Sequence, residues 1–263
     1  MIEIIRSIEE MKHPAKGIRT NLYVPAESFL PLLEEERLLR VSFTGGSYVL
    51  AEQESQYDCY FFLEQAAAPA ELPPLKKPVV LEQVALERMG ISPAQEAWEQ
   101  IGFQPYLQRK RLFRAAKTVE AEKRQPMFCR EEEAELLLDW MNEVFEPYTS
   151  ALPDLETLRK DLREQRVLAA RAGETLLGFL RFGREKKVSV LWQIAVAETA
   201  RGSGMAEGLV KDWLFLEREQ AAKFQLWVRE DNPSAIRLYE KTDFLPDGRI
   251  APVLLKNKTV NKK

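Results

Sequence analysis

Between Val188 and Phe244 the chain follows one order: alternating strand, glycine turn, helix, alternating strand, helix. Few folds accept that order with so short a turn, so this stretch constrains the rest. Val190, Trp192, Ile194 and Val196 recur at every second place, with Ser189, Leu191, Gln193 and Ala195 between them. Period two predicts a strand over Val188–Val196. The turn Arg201-Gly202-Ser203-Gly204-Met205-Ala206 follows. Met205, Leu209, Trp213 and Leu216 then recur at helical spacing. Phe224, Leu226 and Val228 predict a second short strand. Asn232 before Pro233 reads as an N-cap with proline at the first helical position. Ala235, Leu238 and Tyr239 share one face of that last helix, which ends near Thr242.

The turn has a chemistry of its own. Gly202 and Gly204 permit backbone angles that a Cβ penalises. The first amides of the helix have no internal acceptor and carry the positive end of its dipole. A phosphate or pyrophosphate suits such a turn, with Arg201 as a cationic clamp. A tight turn that merely opens a helix would read the same way. No Gly-Lys-Ser/Thr follows, which excludes a Walker loop, and the dinucleotide G-x-G-x-x-G pattern is absent.

Here the sequence resembles the GNAT superfamily of N-acetyltransferases. Residues 201–206 match its Q/R-x-x-G-x-G/A signature, and Asn232, Ala235, Tyr239, Lys241 and Phe244 match its later N-x-x-A-x-x-x-Y-x-K-x-G-F pattern. Asp243 stands where that pattern has glycine, which puts the shape of the turn in question. The resemblance covers roughly residues 127 to 257. It implies that the amides of Arg201, Gly202, Ser203, Gly204, Met205 and Ala206 hold the pyrophosphate of acetyl-CoA. It also implies that Ile194, Ala195 and Val196 bond the pantetheine as an added strand, with the Val196 amide polarising the thioester carbonyl. Asn232 and Ala235 are implied coenzyme contacts, and Tyr239 the general acid for the departing thiolate. A phenol with a pKa near 10 suits a thiolate whose thiol has a pKa of roughly 8.5.

An amine nucleophile must lose a proton, and no base is evident. Val190 stands near the place where many family members carry a glutamate. Glu198 in the following loop is the nearest carboxylate, with a solvated loop charge as its simpler role; a water chain held by Gln193 is the alternative. The family's acceptor entrance makes Glu146, Tyr148 and Trp192 candidate pocket residues, with surface charge or core packing as their simpler roles.

Length and composition set wider bounds. A chain of 263 residues fits one or two domains, and 45% hydrophobic with 30% charged residues is ordinary for a globular protein. A net charge of −3 argues against general nucleic-acid binding, and Lys256, Lys258, Lys262 and Lys263 read as a frayed basic end. The first ten residues lack the apolar core of a signal peptide, and no run of about 18 apolar residues predicts a membrane span. Cys59 and Cys129 read as buried thiols in a reducing cytoplasm. His13 is the only histidine, which argues against a histidine metal site or triad. No metal is expected.

The remaining C-terminal half predicts a strand at 126–129, a helix over 131–145 with Leu136, Leu137, Trp140, Met141 and Val144 inward, a helix over 154–164, and a hairpin of 167–171 with 176–182. In the N-terminal half, Ser92-Pro93-Ala94-Gln95 opens a helix that leads through Trp98-Glu99 to Gly102-Phe103 and a strand over 106–113. Trp98-Glu99…Phe103 mirrors Tyr239-Glu240…Phe244, a weak internal repeat. Residues 21–24, a helix over 26–36, and a Gly45-Gly46 hairpin into 47–50 and 57–63 complete an α+β unit. Residues 66–78, with four prolines, read as a long mobile loop. The expected fold is α+β: a mixed, mostly antiparallel GNAT sheet with helices on both faces (127–263), preceded by a smaller, degenerate GNAT-like α+β domain (1–118) and a polar linker at 119–126. The first domain lacks the glycine turn and a phenol at Trp98, so it is expected neither to bind coenzyme nor to catalyse. Two function classes follow: an acetyl-CoA-dependent N-acetyltransferase acting on a small-molecule or peptide amine, or a non-catalytic acyl-CoA sensor. The expected protein is cytoplasmic, independent of nucleic acid and membrane, and either a monomer with tandem domains or a homodimer.

Overall fold

The computed structural model describes residues 2–11, 17–87, 94–120 and 122–257. His13, the Ser92-Pro93 helix start and Lys258, Lys262 and Lys263 lie outside the described residues. In chain order the elements are β1 (Ile2–Ile4), α1 (Ile8–Met11), β2 (Arg19–Thr20), α2 (Leu30–Glu34), β3 (Leu38–Phe43), β4 (Gly46–Glu52), β5 (Tyr57–Leu63), β6 (Val79–Glu82), β7 (Ala85–Leu86), α3 (Ala94–Gln100) and β8 (Gln104–Ala115). There follow α4 (Ala134–Val144), α5 (Leu155–Arg163), β9 (Val167–Ala172), β10 (Thr175–Glu185), β11 (Val188–Val196), α6 (Met205–Glu217), β12 (Lys223–Arg229), α7 (Pro233–Lys241) and β13 (Leu245–Lys256).

Two compact units form, one of Met1–Arg109 with Arg249–Lys263 and one of Lys110–Gly248. The division falls at residues 109 and 248, where the sequence reading drew it at 119–126 and assigned 249–263 to the second domain. Residues 119–120 and 122–124 belong to the second unit: Val119 packs into its core, and Arg124 donates to Asp212 on α6 (2.6 Å).

In the second unit β9, β10 and β11 form an antiparallel meander, and β11 pairs in parallel with β12. Residues 127–129 extend the β9 edge through a bridge of Phe128 to Leu168. Alternation along the strands divides the core. Leu168, Leu180, Leu191, Leu226 and Val228 pack with α6 and α7, whereas Val167, Ala169, Phe179 and Ala195 pack with α4 and α5. On α4, Leu137 and Met141 are buried, but Leu136 and Val144 are 57% and 49% exposed. The inward placement expected for those two is therefore corrected: the helix offers a narrower stripe than the apolar count suggested.

β11 also departs from plain alternation. Opposite β10, Gln193 pairs with Arg181 but Leu191 pairs with Phe182, so Trp192 is an extra residue in the ladder. This β-bulge rotates the strand by one residue. Leu191 joins Ile194 and Val196 on the α6/α7 face, in place of the expected face of Val190, Trp192, Ile194 and Val196. Gly183 makes room for the bulged ring, since a Cβ there would lie 2.0 Å from Trp192.

The first unit repeats this plan. β3, β4 and β5 form an antiparallel meander, β5 pairs in parallel with β6, and the 249–256 part of β13 pairs with β6 and β7. The weak sequence repeat becomes a bond-for-bond one. Phe103 N donates to Trp98 O (3.1 Å) and Gly102 N to Glu99 O (2.9 Å); Phe244 N donates to Tyr239 O (2.9 Å) and Asp243 N to Glu240 O (3.1 Å). Both exits turn on a left-handed residue, Gly102 at φ 92° and Asp243 at φ 57°. Asp243 thus makes the left-handed turn that a glycine would make there, as its short side chain allows. Each helix end is capped by a cation from a distant strand: Lys256 Nζ on Ile101 O, and Arg114 Nη1 on Thr242 O (2.9 Å).

The proline-rich stretch 66–78 has no helix or strand, yet it is anchored. Leu72 and Leu75 are buried, and the Tyr48 hydroxyl donates to Ala70 O and accepts from Ala70 N, both at 2.7 Å. The expectation of a mobile loop is corrected on these contacts. Its prolines remove donors, which leaves few backbone groups to satisfy.

Candidate functional site

Parallel pairing of β11 with β12 lasts only from Val188↔Lys223 to Leu191↔Leu226. β11 continues to Val196 and β12 to Arg229, so a fork opens where the Trp192 bulge bends the strand. Ala197 N donates to Leu177 O on the β10 side (2.8 Å). Amides alternate along an antiparallel ladder, so those of Ile194 and Val196 point to the opposite edge, into the fork. Ala195 turns its own amide toward β10 and its side chain toward α4 and α5, which leaves Ile194 and Val196 as the two residues that offer backbone to the fork.

Below the fork lies the glycine turn. Gly202 (φ 79°) and Gly204 (φ 86°) are left-handed, and a Cβ on either would meet nothing within 4 Å. Their side of the turn is open. Arg201 N bonds Glu198 O at 3.2 Å, Ser203 N bonds Ala200 O at 3.4 Å, and Met205 N reaches Ser203 Oγ at 3.4 Å. Among the described residues the amides of Gly202, Gly204, Ala206 and Glu207 meet no protein acceptor. Four free donors at the N-terminus of a thirteen-residue helix are an arrangement that suits an anion. The Glu207 amide lies one residue beyond Ala206, where the sequence motif ends. The Arg201 side chain is exposed and paired with Glu198 (2.9 Å).

Tyr239 lies on α7 with its ring against Phe244, 5.9 Å between centroids. The side chain is buried, and burial pushes its hydroxyl well above the ordinary tyrosine value. Among the described residues nothing hydrogen-bonds that hydroxyl. Asn232 caps α7: its Oδ1 accepts from Ala235 N (3.1 Å) and Ser234 Oγ (2.8 Å), so the Asn232 side chain and the Ala235 amide serve the helix start.

Residues 133–244 match the Acetyltransferase (GNAT) family. This segment is a GNAT domain.

Solved structures similar to the chain share its fold. A GCN5-related N-acetyltransferase from Sphaerobacter thermophilus aligns with a TM-score of 0.62 at 14% identity, over 89% of this chain and 86% of that one. A GCN5-related N-acetyltransferase from Kribbella flavida aligns at 0.52 and 11%, over 82% and 88%. A tandem GNAT protein from the clavulanic acid biosynthesis pathway aligns at 0.51 and 10%, over 86% and 83%. These likenesses extend over both units, which accords with a GNAT-like first unit. No curated protein matches the chain in sequence.

The candidate pocket residues of the GNAT domain have definite local roles. The Glu146 carboxylate accepts from Tyr148 N (2.7 Å), Thr149 N (2.9 Å) and Thr149 Oγ1 (2.7 Å), which folds the α4–α5 loop on itself. Trp192 lies under the Arg181 guanidinium, 4.4 Å from ring centre to carbon. Gln193 is buried; its Oε1 accepts from Arg181 Nη1 (3.0 Å) and its Nε2 donates to Ser150 O (2.5 Å). Its amide is thus engaged with protein groups, which weighs against the water chain considered for it. Cys59 and Cys129 are buried, and burial raises both thiols. Among the described residues no group of three or more metal-ligating side chains is placed to hold an ion, and no helix is long and apolar enough to cross a membrane.

The first unit has the same fork and fills it. β5 pairs with β6 only at Tyr57↔Val79 and Asp58↔Val80; beyond that, β2 pairs with β5 at Phe62 and Leu63. Buried Asn21 bridges the fork: its Nδ2 donates to Cys59 O and Glu82 O (2.9 Å each), and its Oδ1 accepts from Phe61 N (2.8 Å). The chain satisfies this edge itself. Asn21→Ala is expected to leave these groups without partners and to cost about 2 kcal/mol in chemical denaturation.

Proposed function

We propose that the GNAT domain is an acetyl-CoA-dependent N-acetyltransferase that moves an acetyl group to a primary amine by direct attack in a ternary complex. The observation that carries this reading is the open fork above the open turn: two β11 amides at a free strand edge, then four unpaired amides at a helix N-terminus. An extended amide-bearing arm ending in a pyrophosphate fits both at once, by strand addition and by anion binding.

Acetyl-CoA would supply the activated acyl group, whose bond to sulfur breaks as the amine nitrogen bonds the carbonyl carbon. Ile194 and Val196 align the arm, and the Val196 amide donates to the carbonyl oxygen as it gains charge. One such donor is worth about 3–4 kcal/mol in other acyl transfers. The Tyr239 hydroxyl gives its proton to the departing sulfur. A phenol is protonated at neutral pH, and burial raises its pKa further, so the acid is present where it is needed. The amine nitrogen loses its proton to solvent, and the Tyr239 phenolate regains one from solvent before the next turnover.

The competing reading, a non-catalytic sensor, shares the binding site and differs only in turnover. Acetyl-CoA at about 100 times its Kd is expected to add about 2.7 kcal/mol of stability, read as a rise in melting temperature. Calorimetry is expected to give one site per chain, because the first unit's fork is filled. Gly204→Ala, strained at φ 86° by about 1 kcal/mol, should fold and lose at least tenfold in affinity. No thermal shift at millimolar acetyl-CoA would sink both readings; binding without acetylation across a broad amine panel would favour the sensor.

A further inference from the structure

A buried polar chain runs from α5 through β10 and β11 to the α4–α5 loop. Asp161 on α5 accepts from Arg181 on β10 at 2.7 and 2.6 Å, with both side chains about 5% exposed. Arg181 donates to Gln193 on β11, and Gln193 donates to Ser150 O and, at 3.4 Å, to Ala151 O. We propose that Gln193 is a positioning residue that fixes the loop 146–151 and thereby sets the acceptor end of the acetyl-transfer slot. The proposal rests on the functional reading above.

Three observations lead there. First, the orientation of the Gln193 amide is determined. Arg181 can only donate, so Oε1 must face it and Nε2 must face the loop carbonyls. The chain therefore has a direction, starting at a buried carboxylate and ending on two loop carbonyls. Second, the two faces of the sheet are not equivalent. The open glycine turn and Tyr239 belong to the α6/α7 side, whereas Gln193 sits beside Ala195, whose side chain packs toward α4 and α5. With the pyrophosphate on one face, an amine attacking the carbonyl at Val196 approaches from the other, where the α4–α5 loop lies. Third, the loop is held more firmly than a connection requires. Glu146 gathers the amides of Tyr148 and Thr149 at one end, and Ala151 is left-handed at φ 46° at the other, where Gln193 grips it. A buried ion pair adds little net stability over apolar packing. Holding one loop at one distance from Val196, three residues along the same strand, is what this one accomplishes.

Gln193→Glu keeps the Arg181 contact and replaces the loop donor by a repelling oxygen; Gln193→Leu removes both links. Amide hydrogen exchange over 146–151 is expected to rise at least tenfold in both variants, while the Kd for acetyl-CoA stays within threefold of wild type. With spermidine as the probe amine, thiol release should show its KM raised at least tenfold, with KM for acetyl-CoA and thiol release in water alone within threefold. Unchanged loop exchange in both variants overturns the proposal. So does faster exchange with an unaltered KM for spermidine, or an equal loss of acetyl-CoA binding. If spermidine accepts no acetyl from the wild-type protein, loop exchange and acetyl-CoA affinity decide alone. Failure of wild-type protein to bind acetyl-CoA would sink the functional reading instead.

Discussion

Tyr239→Phe is expected to lower kcat for acetyl transfer by about 10²- to 10⁴-fold, the usual worth of a positioned general acid. Acetyl-CoA affinity should stay within about threefold, since the ring keeps its contact with Phe244 and only the hydroxyl is lost. Stability should change little: that hydroxyl has no hydrogen-bond partner among the described residues, so its removal orphans nothing. Steady-state thiol release and calorimetry on the same preparation separate the two effects. Equal losses in kcat and in acetyl-CoA affinity would show that Tyr239 shapes the pocket rather than donates a proton. The effect should be smaller with thioesters whose thiol has a lower pKa, because a weaker base needs its proton less.

Asp161→Ala is expected to cost about 3–5 kcal/mol of stability, the largest loss foreseen for a single side chain here. Arg181 is 5% exposed and cannot shed its charge at neutral pH, so removal of its carboxylate leaves a buried cation. Arg166, 3.6 Å from the other Asp161 oxygen, is exposed enough to turn to water and adds little. A paired replacement, Asp161→Leu with Arg181→Met, should recover most of the loss, because burying neither charge avoids the desolvation cost. The urea midpoint of each variant checks this. A single variant with wild-type stability would mean that water reaches Arg181. The paired variant also separates fold from function: it should be stable, yet its α4–α5 loop should lose part of its anchor through Gln193.

Much of the GNAT domain was legible in the chain. Val188–Val196 was bounded as the structure has it, and the strand through Phe224, Leu226 and Val228, the proline-opened α7 and the N-cap at Asn232 followed from period and from turn chemistry. Such features are local: a strand's alternation, a missing Cβ or a cap is written in a few adjacent residues. The same holds for the repeat, since Trp98-Glu99…Phe103 and Tyr239-Glu240…Phe244 encode one helix exit. Even Asp243, out of pattern, adopts the left-handed turn that its position requires.

Where the reading failed, the cause was not local. Leu136 and Val144 fit a helical stripe, but how wide a stripe is covered depends on the neighbours that reach it. The prolines of 66–78 suggested mobility, and Leu72 and Leu75 found a core. Strict alternation hid the bulge at Trp192, which exists because Gly183 across the ladder leaves space for the ring.

The sequence by itself determined the order of elements, the open glycine turn and the phenol on α7, since each depends on residues adjacent in the chain. Only the tertiary structure decided that one fork stands open above that turn while its counterpart is closed by Asn21. It also joined Asp161, Arg181 and Gln193 into one chain across three elements. Both depend on strand edges and buried charges finding partners tens of residues away, and an unpaired polar group is costly only once water has been removed from it.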